Sequence, residues 1–295
     1  MDNKSQLDAY HKGEELSAND SQISAAYYER YKRRQEGLLL ICQTIELLSL
    51  IQQHRASSLA VLGGTEHFRQ RTYTLQRSIH EKVGELHDSS PLLDRQRWRA
   101  ILTEWFTIKG HWHKDDPLDN FELHNYLIDQ MTLLVWEIAK RSELMIDSTR
   151  GFLLSEFAFK HLIKHIEAMG MLRGLSTYIA SRGESPRSYK MRLSHLRQVC
   201  EDSFNRHQQT LTQLPGAIKE ELETQYPVQE NLRLTKQFLN LISGYMLNLE
   251  EVKVDSDEVF YHATRAIEAE LKLLAKVMGM LEVNIESERQ SVAAI

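Results

Sequence analysis

The amino-acid sequence predicts an all-α protein, and two observations carry that prediction. From residue 23 onward, apolar residues recur at the spacing of a buried helix face, and no stretch alternates with a period of two for long enough to form a strand. The chain of 295 residues also contains only 13 Gly and 5 Pro, which leaves little turn chemistry for a β-rich fold.

The predicted elements begin after a polar N-terminal stretch. Residues 1–22 are polar and acidic, and we expect a loose tail there, not a signal peptide. The predicted helices cover residues 24–62, 69–86, 92–109, 120–147, 151–180, 186–211, 228–249 and 257–291. We expect residues 23–147 to form a first helical bundle and residues 148–295 a second one.

Composition and charge indicate which partners and which cellular location to expect. The net charge is −5, which argues against nucleic acid as the main partner. No apolar run approaches the roughly 18 residues that a membrane span needs. Cys42 and Cys200 have no metal-type or redox spacing, so reduced thiols in a cytoplasmic protein are expected.

An arginine stands in the middle of one apolar helical run. Arg55 shares a helix face with Leu48, Ile51, Leu59 and Leu62, and that face is the one a globular protein buries. A guanidinium cannot lose its proton to escape burial, so Arg55 needs an anion or a set of acceptors. The sequence leaves open whether an internal carboxylate or a ligand meets that need.

A second stretch repeats this pattern about 118 residues later. "GMLRGLSTYIASRG" at 170–183 aligns with "QQHRASSLAVLGGT" at 52–65, which places Arg173 on Arg55 and Ser176 on Ser58. Each serine lies one helical turn after its arginine, on the same face. The match indicates two similar units, each about the size of a four-helix bundle, although common helical residues could also match by chance.

At these two stretches the chain resembles the nitrate- and nitrite-sensing (NIT) domain family of bacterial helical sensor modules. That family carries an Arg-Gly-x-Ser-like motif followed by small residues. "MGMLRGLS" at 169–176 approximates the motif, and Ala56 stands where Gly is usual in "LIQQHRASSLAVLGG" at 50–64. "YHATRAIEAELKLL" at 261–274 is similar to the closing helix of related modules, so the resemblance extends over residues 23–288.

The resemblance implies a receptor module of two stacked four-helix bundles with an arginine-lined anion site. Arg55 and Arg173 match the family's arginines, and Arg233 corresponds to a third, although its helical neighbours are polar. Nitrate and nitrite are planar monoanions that match the guanidinium fork. Ser58 and Ser176 are small enough to let helices close around such a ligand. Members of the family usually continue into an output segment that these 295 residues do not show, so we expect signalling through a partner protein.

Two alternatives to the sensor remain open. Each arginine could pair with a buried carboxylate, for which Glu46, Glu137, Glu156 and Glu167 are available, or extend its head group to solvent from a helix end. The chain could then be a helical scaffold or interaction protein that binds no small ligand. For a helical sensor, long amphipathic helices such as 257–291 also favour a homodimer.

The remaining motifs predict neither an enzyme nor a cofactor. "HWHKDD" at 111–116 and "HLIKH" at 161–165 contain paired histidines, but neither has a third ligand at metal-type spacing. We expect no metal there. No P-loop, dinucleotide fingerprint, nucleophile elbow or paired-carboxylate pattern occurs in the sequence.

Overall fold

The computed structural model describes residues 3–87, 90–145, 149–248 and 251–293, and the protein is 87% helical. No strand occurs within these ranges, so the predicted all-α class is confirmed. Nor does any helix in them combine the length and the mean hydropathy of a membrane span. The α-helices are α1 (Asn3–Leu62), α2 (Phe68–His87), α3 (Arg95–His111), α4 (Pro117–Arg141), α5 (Thr149–Glu156), α6 (Ile163–Arg182), α7 (Arg187–Gln213), α8 (Gly216–Gln225), α9 (Val228–Ile242) and α10 (Ser256–Ala293).

Several boundaries differ from the predicted ones. α1 begins at Asn3, so it includes residues 3–22, for which the sequence predicts a loose tail. α3 begins at Arg95, later than predicted, because the Asp94 carboxylate caps it and accepts a hydrogen bond from the Arg97 amide at 2.8 Å. The predicted boundary between the two bundles, at residues 147 and 148, lies outside the described ranges.

The short helix α8 was not predicted from the sequence. Its ten residues follow Pro215 directly, and one residue, Tyr226, separates its end from Pro227. Proline is tolerated at the start of a helix and disfavours helical backbone in the residue before it, so the two prolines bracket the segment. A helix this short contains too few turns for apolar periodicity to reveal it.

Two turns of π-helix interrupt otherwise α-helical segments. They are π1 (Phe157–Leu162) and π2 (Ser243–Leu247). α5, π1 and α6 follow one another without a break, and the Ile163 amide donates to the Ala158 carbonyl five residues earlier. A π turn contains more residues than an α turn, and such turns occur often near functional sites.

α1 lies at the centre of the packing. It contacts α2, α4, α6 and α10, while α6 also packs against α7 and α10, and α9 packs against α10. One contiguous apolar core includes Ile51 of α1, Ile128 of α4, Met169 of α6 and Ile267 of α10. The contact between α1 and α6 is therefore deep in this core, where any polar side chain must find its partners within the protein.

Candidate functional site

Two glycines of α6 allow α1 to approach closely. A Cβ atom added to Gly170 would lie 2.8 Å from Nη2 of Arg55 and 3.2 Å from Nε2 of Gln52. A Cβ atom on Gly174, one turn later, would lie 3.5 Å from Cγ and Nε of Arg55. These two positions therefore leave the space that the Arg55 side chain occupies on the surface of α6.

Arg55 is fully buried and has an internal carboxylate as its partner. Its Nη1 donates to Oε1 of Glu167 at 2.7 Å and to Oδ1 of Asn125 at 2.6 Å, and its Nη2 donates to Oε2 of Glu167 at 3.2 Å. Gln52 also donates to Glu167, at 2.5 Å. Glu167 is one of the four candidate partners in the sequence, so for Arg55 the structure shows the carboxylate alternative.

Arg173 is equally buried but has no carboxylate partner within the described ranges. Its Nη1 donates to the Thr264 hydroxyl at 3.2 Å, whereas Nε and Nη2 have no hydrogen-bond partner there. Burial lowers the pKa of Arg173 to about 9, and the charges of Arg55 and Arg71 add to this shift, while the carboxylates of Glu167 and Glu268 act against it without forming an ion pair with Arg173. The unpaired Nε and Nη2 form one edge of the guanidinium, the edge that binds planar anions through two parallel hydrogen bonds.

The two arginines lie in matching surroundings. The guanidinium carbon of Arg55 lies 5.7 Å from the ring centroid of Phe121, and that of Arg173 lies 5.4 Å from the ring centroid of Phe260. In α4 and in α10, a side chain that accepts a hydrogen bond from Nη1 lies four residues after the phenylalanine: Asn125 in α4 and Thr264 in α10. Sequence reasoning missed these four residues, although the repeated spacing of phenylalanine and polar residue was a usable signal.

A second arginine lies near each phenylalanine. Arg192 of α7 lies 5.5 Å from the Phe121 ring, and Arg71 of α2 lies 4.4 Å from the Phe260 ring. Arg192 forms an ion pair with Glu122, while Arg71 donates to Gln53 at 3.4 Å. Each of the two arginines around Phe121 therefore pairs with a carboxylate. Arg173, beside Phe260, has no carboxylate partner among the described residues.

The two serines of the motif are buried, and among the described residues no hydrogen bond joins either hydroxyl to a guanidinium group. Ser58 donates to the Arg55 carbonyl at 3.1 Å and to Asn120 at 3.0 Å. Ser176 donates to the Leu172 carbonyl at 2.6 Å, in the pattern of a helical hydroxyl that bonds to its own preceding turn. Their small side chains fit the close packing of α1 and α6.

Arg233 lies on the exposed side of α9. It forms an ion pair with Glu230, three residues earlier, through Nε at 2.7 Å, and 51% of its side chain is exposed. The described residues show no contact between Arg233 and the two buried arginines. The polar neighbours in the sequence were the better guide to its position.

We expect the Arg233→Ala variant to unfold at the same temperature as the wild type, because exposed ion pairs between residues three apart contribute little. Its thermal response to nitrate should also be unchanged. Thermal melts with and without nitrate test both expectations. If Arg233→Ala lost a nitrate response that the wild type shows, Arg233 would belong to the site.

A buried histidine network lies next to Arg55. Nδ1 of His54 lies 2.8 Å from Nε2 of His124, and Gln76 lies 3.1 Å from the other ring nitrogen of His54. Burial lowers the pKa of both histidines, that of His124 to about 3, so both rings are neutral at pH 7. The network connects α1, α2 and α4 and fixes the backbone from which Arg55 projects.

The histidines of the two paired motifs differ in solvent exposure. His111 and His113 are exposed, His161 is partly exposed and His165 is fully buried. Among the described residues, no group of three His, Cys, Asp or Glu side chains stands at a spacing that could hold a metal ion.

Comparison of the chain with known protein families, curated proteins and solved structures gives no match.

Proposed function

We propose that this protein is a sensory module that binds a small oxoanion, nitrate or nitrite, at the buried Arg173 of α6, beside α10 and α2. In this proposal the module consists of two stacked four-helix bundles related by an internal repeat, and it signals through a partner protein. The observation that carries the proposal is the unpaired Nε and Nη2 edge of the buried Arg173. A guanidinium in that position needs an anion, and its fork fits a planar one.

The charges around the site favour a monoanion. Arg55 and Arg173 are both fully buried, and Glu167 is the carboxylate that pairs with one of them. One bound nitrate or nitrite would compensate the charge that remains on Arg173. Because both ions are weakly hydrated, moving them into the protein costs less than moving a strongly hydrated anion such as sulfate.

The matching surroundings of the two arginines support the internal repeat. Arg55, Phe121 and Asn125 on one side correspond to Arg173, Phe260 and Thr264 on the other. The repeat also has an asymmetry, since Ser49 aligns with Glu167 at the same spacing that aligns Arg55 with Arg173. We infer that Glu167 fills the first anion position permanently and that the second one is open to a ligand.

Burial of Arg173 connects ligand binding to helix packing. An anion reaches this guanidinium only when α6, α10 or α2 moves aside, and a bound anion then holds those helices in one arrangement. A ligand that prefers one packing over another shifts the population toward it, which is what a sensor requires.

A thermal melt in nitrate, nitrite, chloride and sulfate tests the proposal. At about 100 times its dissociation constant, a specific ligand should add about 2.7 kcal/mol to the free energy of unfolding. We expect this increase with nitrate or nitrite and not with chloride at equal ionic strength. Equal melting temperatures in all four salts would exclude oxoanion sensing.

The competing proposal is a helical scaffold that binds no small ligand. The Arg55–Glu167 ion pair favours it, because an arginine that has an internal partner needs no ligand. The same melt distinguishes the two, since a scaffold should respond to all four salts alike.

A further inference from the structure

A second group of buried polar side chains lies between α6, α7 and α10. Nε2 of His207 lies 3.5 Å from Oε2 of Glu270, and Nε2 of His165 lies 3.9 Å from Oε1 of the same carboxyl. The two imidazole rings are stacked, with centroids 5.2 Å apart and an angle of 12° between their planes. All three side chains are at most 1% exposed.

None of the ring nitrogens or carboxyl oxygens in this group has a hydrogen-bond partner among the described residues. The Phe157 ring of π1 stacks on His207 at 5.5 Å, and the Phe204 ring lies 5.8 Å from that of His165. Buried polar atoms are nearly always hydrogen-bonded in folded proteins, and leaving them unpaired costs stability. Three such side chains together therefore need an explanation other than packing.

The charge states of the group follow from its burial. Burial lowers the pKa of His165 to about 3 and that of His207 to about 4, so neither ring is a cation at pH 7. Burial raises the pKa of Glu270 to about 8, although the neighbouring Asn231 amide opposes the shift. At pH 7 the group is thus neutral and holds its proton on the Glu270 carboxyl.

We infer that His165, His207 and Glu270 form a buried proton-binding site, and that loss of its single proton loosens the packing of α7 against α6 and of α9 against α10. A deprotonated Glu270 would be a buried carboxylate with two uncharged rings and the neutral Asn231 amide beside it, and no cation. Because that state is costly, the helices must separate enough to admit water or a counter-ion. The inference does not depend on anion binding at Arg173.

Other titratable groups near the site do not titrate in the same pH range. Burial raises the pKa of Cys200 on α7 and of Tyr226 before α9 to about 12 in each case. His161 in π1 acts on His207, and burial lowers its own pKa below the usual value. Between pH 6.5 and 8, Glu270 is the member of this neighbourhood that changes charge.

The sign of the pH dependence follows from the raised pKa of Glu270. The stability that the protonated Glu270 carboxyl contributes is complete below about pH 4.5, which is the ordinary pKa of a glutamate. It is lost as the pH rises through about 8. The unfolding equilibrium constant of the wild type should therefore rise by up to about tenfold per pH unit between pH 6.5 and 8. The Glu270→Gln variant keeps a neutral side chain of the same shape and should lose this rise.

Urea unfolding of both proteins from pH 6.5 to 8.5 tests the inference, with Glu282→Gln as the matched control. Glu282 is an exposed carboxylate on the same helix, so its variant should follow the wild type. If wild type and Glu270→Gln show the same pH dependence, no proton is bound at this site and the inference is wrong.

A measurement on the wild type covers the case in which Glu270→Gln does not fold. Infrared spectra with isotope-labelled glutamate should show a protonated carboxyl band at pH 6.5 that disappears by pH 9. Amide hydrogen exchange in α7 and α9, corrected for its intrinsic pH dependence, should accelerate over the same interval. A spectrum without that band at pH 6.5, or exchange that stays constant, would overturn the inference.

Discussion

The Arg55→Ala variant should lose about 3–5 kcal/mol of its free energy of unfolding, because it leaves the buried Glu167 carboxylate without its cation. Asn125 would also lose the hydrogen bond that it accepts from Arg55. Gln52, which donates to Glu167, would lose the neighbouring guanidinium. Lysine at position 55 keeps the charge but not the planar fork, which donates to Glu167 and Asn125 at once. Arg55→Lys should therefore fall between the wild type and Arg55→Ala in chemical unfolding.

A double-mutant cycle separates the ion pair from other losses. The Arg55→Ala, Glu167→Ala protein should be more stable than the sum of the two single changes predicts, because neither charge is then left alone. Arg69→Ala is a suitable control, since Arg69 forms an exposed ion pair with Glu66 and should contribute far less. An Arg55→Ala protein as stable as Arg69→Ala would mean that the buried pair contributes nothing.

The second large effect concerns Arg173. Methionine at this position keeps most of the side-chain length and removes a buried cation that lacks a carboxylate partner in the described ranges. Arg173→Met should therefore be no less stable than the wild type in the absence of nitrate, and it should lose the whole nitrate-dependent increase of about 2.7 kcal/mol. Chemical unfolding with and without nitrate measures both quantities.

Arg182→Met is the matched control for this change. Arg182 ends the same helix, and 41% of its side chain is exposed beside Glu184. This variant should keep the nitrate response. If Arg173→Met kept it too, the anion would bind elsewhere. If Arg173→Met instead lost several kcal/mol without nitrate, Arg173 would have a stabilising internal role.

The sequence predicts the helices well because their signal is local. Apolar periodicity located the long helices, and scarcity of glycine and proline excluded a β-rich fold. At two places where the structure differs, one or two side chains explain the difference: Asp94 moves the start of α3, and two prolines enclose α8. The turns π1 and π2 were not predicted, because an added residue changes the periodicity only over one turn.

The candidate site could be predicted only in part. An arginine within an apolar helix face is visible in the sequence, and both Arg55 and Arg173 are fully buried. Glu167 was one of four candidate partners in the sequence, but only the packing of α6 against α1 shows which of the four pairs with Arg55. Phe260 and Thr264 lie about 90 residues after Arg173, and no local sequence pattern connects them to it.

The π1 turn affects where a residue can be deleted from this chain. Arg173 follows π1 on the same helical segment, so one residue lost within α6 before position 173 would rotate the arginine by about 100° relative to the helix that precedes it. A residue lost within 157–162 could instead convert the π turn into an α turn and leave both flanks in register. Related chains should therefore tolerate a deletion at 157–162 more readily than one between 163 and 173.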